Sequence, residues 1–418
     1  MPLKTAVALS RLSRVYCFHQ RIRNIAYYST APNIDIQETP ETRETQCWQI
    51  HSYGGVEELK LSNLTRPPKV QKPDEVIVKV HAASVNPIDV AMLGGYGSVL
   101  LNKMRQVESC DFSTPVIEFP LTLGRDFCGT VEYKGLGVRH LSIGDEVWGV
   151  LPPHRQGSHA QRIVAQSSLV QRKPKNLNRV EAASLLYTGV TAWSALKISG
   201  DLFLLPAHGR RVLVLGGSGG VGTVAVQLLK AWGTQVVATC ATDAVPLVES
   251  LGADVVIDYT NPDAEMLIRK AGKYDIILDA AGLGADAGPG YADCLKNLSL
   301  SKYITLRSPL LKNVDEFGIV GGMLKNIAEL VAPNVRTGLS NPTSSVRWGF
   351  FIPSTDAITE IGTLVGTGKL IPLVEKVYPF EEVPAAFDRM KTGHLRGKIV
   401  VDMDSTKQQS EQAVKSGE

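Results

Sequence analysis

The chain is poor in several features, and each shortage excludes something. No run in its 418 residues approaches eighteen uninterrupted apolar positions, which argues against a membrane-spanning helix. No C-x-x-C pair occurs. The six cysteines (Cys17, Cys47, Cys110, Cys128, Cys240, Cys294) are scattered, which excludes a zinc ribbon or a thioredoxin-like motif and fits free thiols in a reducing compartment. The first 34 residues hold no acid, Asp35 being the first, while Lys4, Arg11, Arg14, Arg21 and Arg23 all lie there. Taking those five charges from the net +3 leaves −2 for the rest, so no global basic field attracts nucleic acid.

An Arg-rich, acid-free leader with Ser10, Ser13, Ser29 and Thr30 has the composition of a mitochondrial transit peptide over residues 1–34. Cleavage is expected between Tyr27 and Asn33. Arg11, Arg14 and Arg21 interrupt the apolar core that a secretory signal needs. A disordered basic arm is the other reading of this segment.

What is present begins with VLVLGGSGGVGTVAVQLLKAWG, from Val212 to Gly233: an apolar strand, a glycine-rich turn, then an amphipathic helix. Gly217, Gly219 and Gly222 satisfy G-x-G-x-x-G in the context that gives the pattern meaning. The first glycine permits the turn, the second lets backbone approach a pyrophosphate, and the third allows close packing of helix on strand. The helix N-terminus offers unpaired N–H groups to anionic phosphates.

The rhythm of the chain divides it in two. From Cys47 to about Ser168 short alternating runs such as EVIVKVHAA (Glu75 to Ala83), GTVEY and GDEVWGV are punctuated by Gly and Pro, which predicts a small barrel-like β domain. From about Val180, apolar strands at Arg211–Leu215, Gln235–Cys240, Asp254–Asp258, Tyr274–Asp279 and Tyr303–Leu306 are separated by helical sequence. That alternation predicts βαβ units and a parallel sheet. A helix at Ser354–Gly366 and a last strand KIVVDM follow, and the polar tail from Ser405 is expected to fray.

The motifs AASVNPIDVAM, PLTLGRDFCGTV, GDEVWG, GSHAQ, EAASLLYTGVTAW, GGSGGVG, LGADVVIDY and GHLRGKIVV are spread from Cys47 to Met403. With them the chain resembles the medium-chain dehydrogenase/reductase superfamily, in its zinc-free quinone-oxidoreductase branch. The resemblance implies an α/β protein with a GroES-like β-barrel over 45–180, a Rossmann doubly wound parallel sheet over 181–348, a return to the catalytic domain over 349–404 and a disordered tail over 405–418. The active site would lie in the cleft between the two domains.

In zinc members of the superfamily, a Cys and a His stand where this chain has Asn86 and Arg125. An amide and a guanidinium do not replace that ligand pair, so no metal is expected and alcohol oxidation by Lewis-acid catalysis is disfavoured. Hydride transfer to a quinone or enone then remains. Such an acceptor develops negative charge on oxygen, and Asn86 is placed to donate a hydrogen bond there. Tyr96, in GGYG, is a candidate proton donor or a loop aromatic that closes the pocket. Asp89 and Arg125 are expected to form an orienting ion pair.

An NAD enzyme usually carries an acid at the end of the second strand, where this chain has Ala238-Thr239-Cys240-Ala241-Thr242. NADPH is therefore the expected cofactor. Asp243 lies a little late, and no Arg or Lys is its sequence neighbour, so the 2′-phosphate is expected to rely on backbone, hydroxyls and Tyr259. The resemblance further assigns Ser218, Gly219, Gly220, Val221 and Gly222 to the pyrophosphate and Ala241 to the adenosine end. Thr191, Thr305, Leu306, Gly349, Phe350 and Phe351 would surround the nicotinamide. His394, Leu395, Arg396 and Lys398 would close over the cofactor, with a solvated surface role open for His394 and Lys398.

Three functions follow as expectations. The first is a mitochondrial NADPH-dependent quinone or enone reductase linked to ubiquinone metabolism. The second is an enoyl thioester reductase of mitochondrial fatty-acid synthesis, and the third an NADPH-binding scaffold for a partner protein. The resemblance implies a reticulon or a quinone-biosynthesis protein as that partner, and a homo-oligomer, expected to be a dimer. The 34 residues between Asp89 and Gly124 read as a long loop: a lid, an entry near a membrane for a greasy quinone tail, or an oligomer contact.

Overall fold

The computed structural model describes residues 45–64, 68–110 and 118–405. The expected transit peptide over 1–34 and the tail after Ser405 lie outside the described residues.

The first domain is built from β1 (Thr45–Ile50), β2 (Lys60–Leu64), β3 (Glu75–Val85), β4 (Leu121–Thr122), β5 (Asp126–Lys134), β6 (Glu146–Val150), β7 (Arg162–Gln166) and β8 (Val170–Arg172). Its centre is β3, eleven residues of which only Lys79 is exposed. This strand pairs antiparallel with both β5 and β7, and its register with β5 slips at Ile77/Val78 and at Val80/Ala82. Such irregularities bend a strand and raise its twist, which lets one sheet curl around a core. Val76, Val78, Val80, Phe127, Val131 and Ile163 fill that core. Two helices interrupt the strands, α1 (Pro87–Leu93) and α2 (Ser98–Ser109).

After α3 (Arg179–Ala183) and α4 (Leu186–Ser194) the second domain alternates: β9 (Arg211–Leu215), α5 (Gly220–Ala231), β10 (Gln235–Cys240), α6 (Val245–Ser250), β11 (Val255–Asp258), α7 (Ala264–Lys270), β12 (Ile276–Asp279), β13 (Lys302–Thr305), α8 (Leu310–Ser340) and β14 (Ser345–Trp348). All pairs in its six-stranded sheet are parallel, in the order β11-β10-β9-β12-β13-β14. Alternate residues of β9 serve opposite faces: Val212 and Val214 join one core cluster, Leu213 and Leu215 another. The winding reverses between β9 and β12, and the crevice at their carboxyl ends is where the glycine turn sits.

The chain then returns through α9 (Thr355–Gly366), β15 (Val374–Pro379), α10 (Val383–Lys391) and β16 (Lys398–Asp402). Strand β16 pairs antiparallel with β3, from Ile399↔Val85 to Asp402↔Ala82, so the last strand re-enters the first domain.

Three elements depart from the sequence reading. Residues 98–109 of the supposed long loop are helix α2, whose first turn is held by Asp315: Gly97 N and Val99 N donate to its carboxylate at 2.6 and 3.0 Å. Helix α8 and strand β14 have no counterpart among the expected elements. Pro333 and the glycines at 318, 321, 322 and 338 weaken the helical signal of α8, which breaks sharply at Gly318.

Candidate active site

The glycine turn is shaped by close contact. A Cβ on Gly222 would stand 2.0 Å from the carbonyl oxygen of Gly216, so any side chain there would push α5 off β9. The first N–H groups of α5, at Gly220, Val221 and Gly222, have no partner one turn back, as at any helix start. Ser218 is buried beside them. This cradle fits an anionic pyrophosphate.

The returning segment seals the turn from the other side. Gly397 forms an isolated parallel bridge with Gly219. Its φ is 100°, and a Cβ there would meet the carbonyl oxygen of Leu373 at 2.5 Å, so the contact depends on glycine. On either side of Gly397 the chain sends a cation in a different direction. The guanidinium of Arg396 reaches the end of β10 and forks onto Asp243, at 2.8 and 3.0 Å from Nη2 and 3.2 Å from Nε. Its Nη1 lies 3.5 Å from the Ser218 hydroxyl. The expectation that no basic residue attends Asp243 is thereby corrected: one arrives from 153 residues away, where sequence adjacency does not show it. Ala241 and Tyr259 stand at the same end, Tyr259 N donating to Cys240 O at 3.0 Å.

Lys398 points the opposite way, into the first domain. It is buried, which rules out the solvated role left open for it; His394, by contrast, is exposed. Its ammonium donates to Asn86 Oδ1 and lies 3.4 Å from Asp126 Oδ2. Burial lowers the pKa of this lysine, opposed by the carboxylates of Asp126 and Asp89. Asn86 is fully buried at the start of α1, and its Nδ2 donates to Asp126 Oδ2 at 3.1 Å and to Ser84 Oγ at 3.3 Å. The other carboxylate oxygen of Asp126 accepts from the backbone N–H of Tyr187.

Behind this group, Asp89 Oδ1 accepts from Arg125 Nε at 3.2 Å and from Gly124 N at 2.8 Å, while Arg125 Nη1 donates to the carbonyls of Pro152 and Arg155. Both charges are fully buried, and the remaining hydrogen bonds satisfy them as a buried pair requires. Asp89 and Arg125 thus fasten the α1 start to the strand carrying Asp126. His159 lies against the same floor, donating from Nε2 to Ser84 O at 3.2 Å, and burial pulls its pKa down to about 4.

Above the floor is an aromatic wall. Tyr187 stacks on Phe351 with ring centres 4.4 Å apart. Burial raises the pKa of Tyr187, with the nearby Asp89 next in effect. Tyr96 donates to Ser308 O at 3.4 Å, and burial followed by Asp315 raises its pKa too. Thr191 bonds back to Tyr187 O, and Gly349 N donates to Thr305 O at 2.8 Å, next to Leu306. Phe350 is not brought into this group; it is exposed, with its ring edge-on to Trp348. Leu395 is partly buried against the first-domain core rather than the aromatic wall.

Sequence reasoning did not single out Asp126, Ser84 or Tyr187. The available signals were an acid inside the apolar strand RDFCGTV and a tyrosine one turn before Thr191 on a helix with no charged residue.

Comparison with known proteins agrees with this architecture. Two family models match, one described as an alcohol dehydrogenase GroES-like domain over residues 72–175 and one as a zinc-binding dehydrogenase over residues 251–401. Among the described residues, no three of His, Cys, Asp or Glu are grouped to hold a metal ion. The human protein named NAD(P)H oxidoreductase RTN4IP1, mitochondrial, is 40% identical over 406 residues, covering 96% of this chain and 99% of its own. Its namesake from Drosophila melanogaster is 46% identical over 365 residues, covering 85% and 86%. An Arabidopsis thaliana protein named NADPH-dependent alkenal/one oxidoreductase, chloroplastic, is 30% identical, covering 86% and 80%. Among solved structures, the quinone oxidoreductase from Coxiella burnetii superposes with a TM-score of 0.68 at 26% identity, covering 86% of this chain and all of that one.

Proposed function

Because the chain belongs to the medium-chain dehydrogenase/reductase superfamily, in the family of the NAD(P)H oxidoreductases RTN4IP1, we propose that it is a mitochondrial NADPH-dependent reductase of quinones or enones. The observation that carries the reading is the floor of the cleft. An amide, an ammonium and a carboxylate meet there at Asn86, Lys398 and Asp126, an arrangement suited to charge developing on an acceptor's oxygen. Relatives named for quinone and alkenal/one chemistry support the acceptor class.

Bound at the glycine turn, a reduced nicotinamide supplies the hydride, while this chain's residues supply position and electrostatics. Ser218 to Gly222 hold the pyrophosphate. Arg396 exchanges Asp243 for the 2′-phosphate, with Ala241 and Tyr259 alongside and His394 at the rim. Thr191, Thr305, Leu306, Gly349 and Phe351 shape the nicotinamide side, and an outer face of the Tyr187–Phe351 stack is the flat surface on which a planar acceptor rests. Asn86 stabilises the acceptor oxygen by exchanging its longer hydrogen bond, to Ser84, for that oxygen. Lys398 polarises the Asn86 amide from its carbonyl side, and Asp126 holds the amide in place. Tyr96 gives a proton to the reduced acceptor and regains it from solvent. Leader and matrix location form part of the same reading, as do ubiquinone metabolism and a reticulon as partner.

The test is stopped-flow oxidation of NADPH by the mature protein with a short-chain ubiquinone analogue, an enone and a crotonyl thioester. Turnover with the first two is expected. Turnover confined to the thioester would make this an enoyl reductase, and tight NADPH binding without any turnover would make it a cofactor-dependent scaffold.

A further inference from the structure

Two loops at the amino ends of the nucleotide sheet hold large apolar side chains out in water. Residues 201–210 lead into β9, and residues 296–301 lead into β13. Phe203 is 71% and Leu204 79% exposed on the first loop, Leu298 88% and Leu300 63% on the second. One exposed leucine is ordinary, but four large apolar side chains on two adjoining loops are not.

The loops are fastened side by side. Lys302 is buried at the start of β13, where its ammonium donates to Leu300 O at 2.7 Å and pairs with Asp201 Oδ2 at 3.0 Å. Arg347, on β14, adds a second bond to Asp201 at 2.8 Å. Asp201, Leu298 and Leu300 have φ of 57°, 58° and 52°, the left-handed region that is costly for a bulky side chain. The backbone therefore keeps these leucines turned outward at a conformational cost.

Behind the apolar tips lies a layer of charge with one dominant sign. The loops and strand starts at this end carry Lys197, Arg210, Arg211, Lys273, Lys296, Lys302 and Arg347 against Asp201, Asp275 and Asp293. The tip segments themselves, 202–209 and 297–301, contain no acid. Asp275 is shared by Arg210 and Lys296, and Asp201 by Lys302 and Arg347. Among the described residues, the Arg211 guanidinium has neither a hydrogen bond nor an ion pair, and its Nε is buried beside Gly272. Seven bases and three acids make this end +4. Since the chain past residue 34 sums to −2, everything else beyond the leader carries −6.

We propose that this end of the protein docks on an anionic phospholipid surface. Phe203, Leu204, Leu298 and Leu300 enter the acyl boundary, and the cations behind them meet headgroup phosphates. Three features favour lipid. Apolar groups outermost with cations one layer back repeat the layering of a membrane surface. A second copy offering the same end would bring two +4 surfaces together, which repel. The −6 remainder is repelled by the same lipid, so only this end can face it. The glycine turn, at the opposite ends of the same strands, then points to water, and cofactor exchanges from the aqueous side whatever the acceptor is.

The test uses the mature protein, free of the basic leader that would bind anionic lipid unaided. It should co-sediment with phosphatidylcholine vesicles containing about 30% phosphatidylglycerol and not with phosphatidylcholine alone. Raising the salt from about 0.1 to about 0.5 M should weaken binding ~10-fold. Leu204→Asp combined with Leu298→Asp should weaken it by at least ~10²-fold, and Arg211→Gln with Lys273→Gln by ~10-fold. Leu136→Asp with Ile143→Asp, at exposed apolar residues of the first domain, should leave it unchanged, and thermal unfolding should show all three variants folded. An environment-sensitive dye on Leu298→Cys should shift to the blue on the anionic vesicles, while the same dye on Leu136→Cys should not. No binding to anionic vesicles overturns the proposal, as does equal binding to neutral ones or binding that survives the two aspartates. Displacement by inorganic phosphate beyond that by chloride at equal ionic strength also overturns it, and makes the cations a small-anion site. Self-association of the wild type that the two aspartates abolish overturns it as well, and assigns the tips to a second copy.

Discussion

Arg396 and Asp243 face each other across the domain boundary, the guanidinium of one forked onto the carboxylate of the other at 2.8 and 3.0 Å. Arg396 belongs to the segment entering β16 and Asp243 to the turn after β10, so the pair ties the last strand of the first domain to the second strand of the nucleotide sheet. Arg396 holds Asp243 ionised below the usual carboxylate range. Arg396→Ala should raise KM for NADPH on the order of 10²-fold and leave KM for NADH little changed, since only the former carries the extra phosphate. Asp243→Asn removes the competing carboxylate and should lower KM for NADPH. Steady-state rates with both cofactors check this; equal use of the two by the wild type would reject the assignment.

Asn86→Ala should lower kcat by about 10²-fold with little effect on NADPH binding, the signature of a donor used only as charge develops. Lys398→Met should act on stability as well. It leaves Asp126 buried without its cation, a loss of about 3–5 kcal/mol for a fully buried pair. Single-turnover rates and urea unfolding separate the two effects. An unchanged rate in Asn86→Ala would remove it from the chemistry.

His159 predicts a pH dependence of stability. Its folded-state pKa is about 4, against an ordinary 6.5, because the buried ring stays neutral. Below 6.5 the unfolded chain binds a proton that the folded one refuses. Stability is therefore fully present above 6.5 and falls as the pH drops towards 4, by about 3 kcal/mol in all. Urea titrations between about pH 7 and 4.5 should show this slope in the wild type and a flatter one in His159→Gln. Equal slopes would assign the acid sensitivity to other groups.

Asp315→Asn should loosen α2 without disturbing the nucleotide sheet. The carboxylate meets two N–H groups at the start of α2, a cap whose loss costs about 1 kcal/mol. Hydrogen exchange over residues 97–109 should quicken, and KM for the acceptor should shift more than KM for NADPH. Exchange unchanged there would mean that packing alone holds the helix.

The strands at Arg211–Leu215 and Gln235–Cys240 were legible to the residue, because an apolar run buried on both faces and bounded by Gly or polar residues leaves little choice. Asn86, Ser218 and the glycine turn were legible as candidates because their motifs are local. The partnership of Arg396 with Asp243 was not, since 153 residues separate them and only the return of β16 joins them. Lys398 was legible as a residue but not as a buried one. Its neighbours Ile399, Val400 and Val401 announce a core strand, yet whether a cation at its mouth turns to water or to Asp126 depends on β3 and β5. Helix α8 escaped because its apolar face points outward and its buried face is polar, which inverts the pattern that sequence reading relies on.

The bridge between Gly397 and Gly219 also sets an order of events during synthesis. Three consecutive residues, Arg396, Gly397 and Lys398, touch the end of β10, the glycine turn and the floor at Asn86, and all follow the whole parallel sheet in the chain. A nascent chain that has already formed its parallel sheet still has an open turn and an unpaired Asp126 until this tripeptide leaves the ribosome. A premature stop a few codons before Arg396 would yield a protein with the fold's outline and no working cleft.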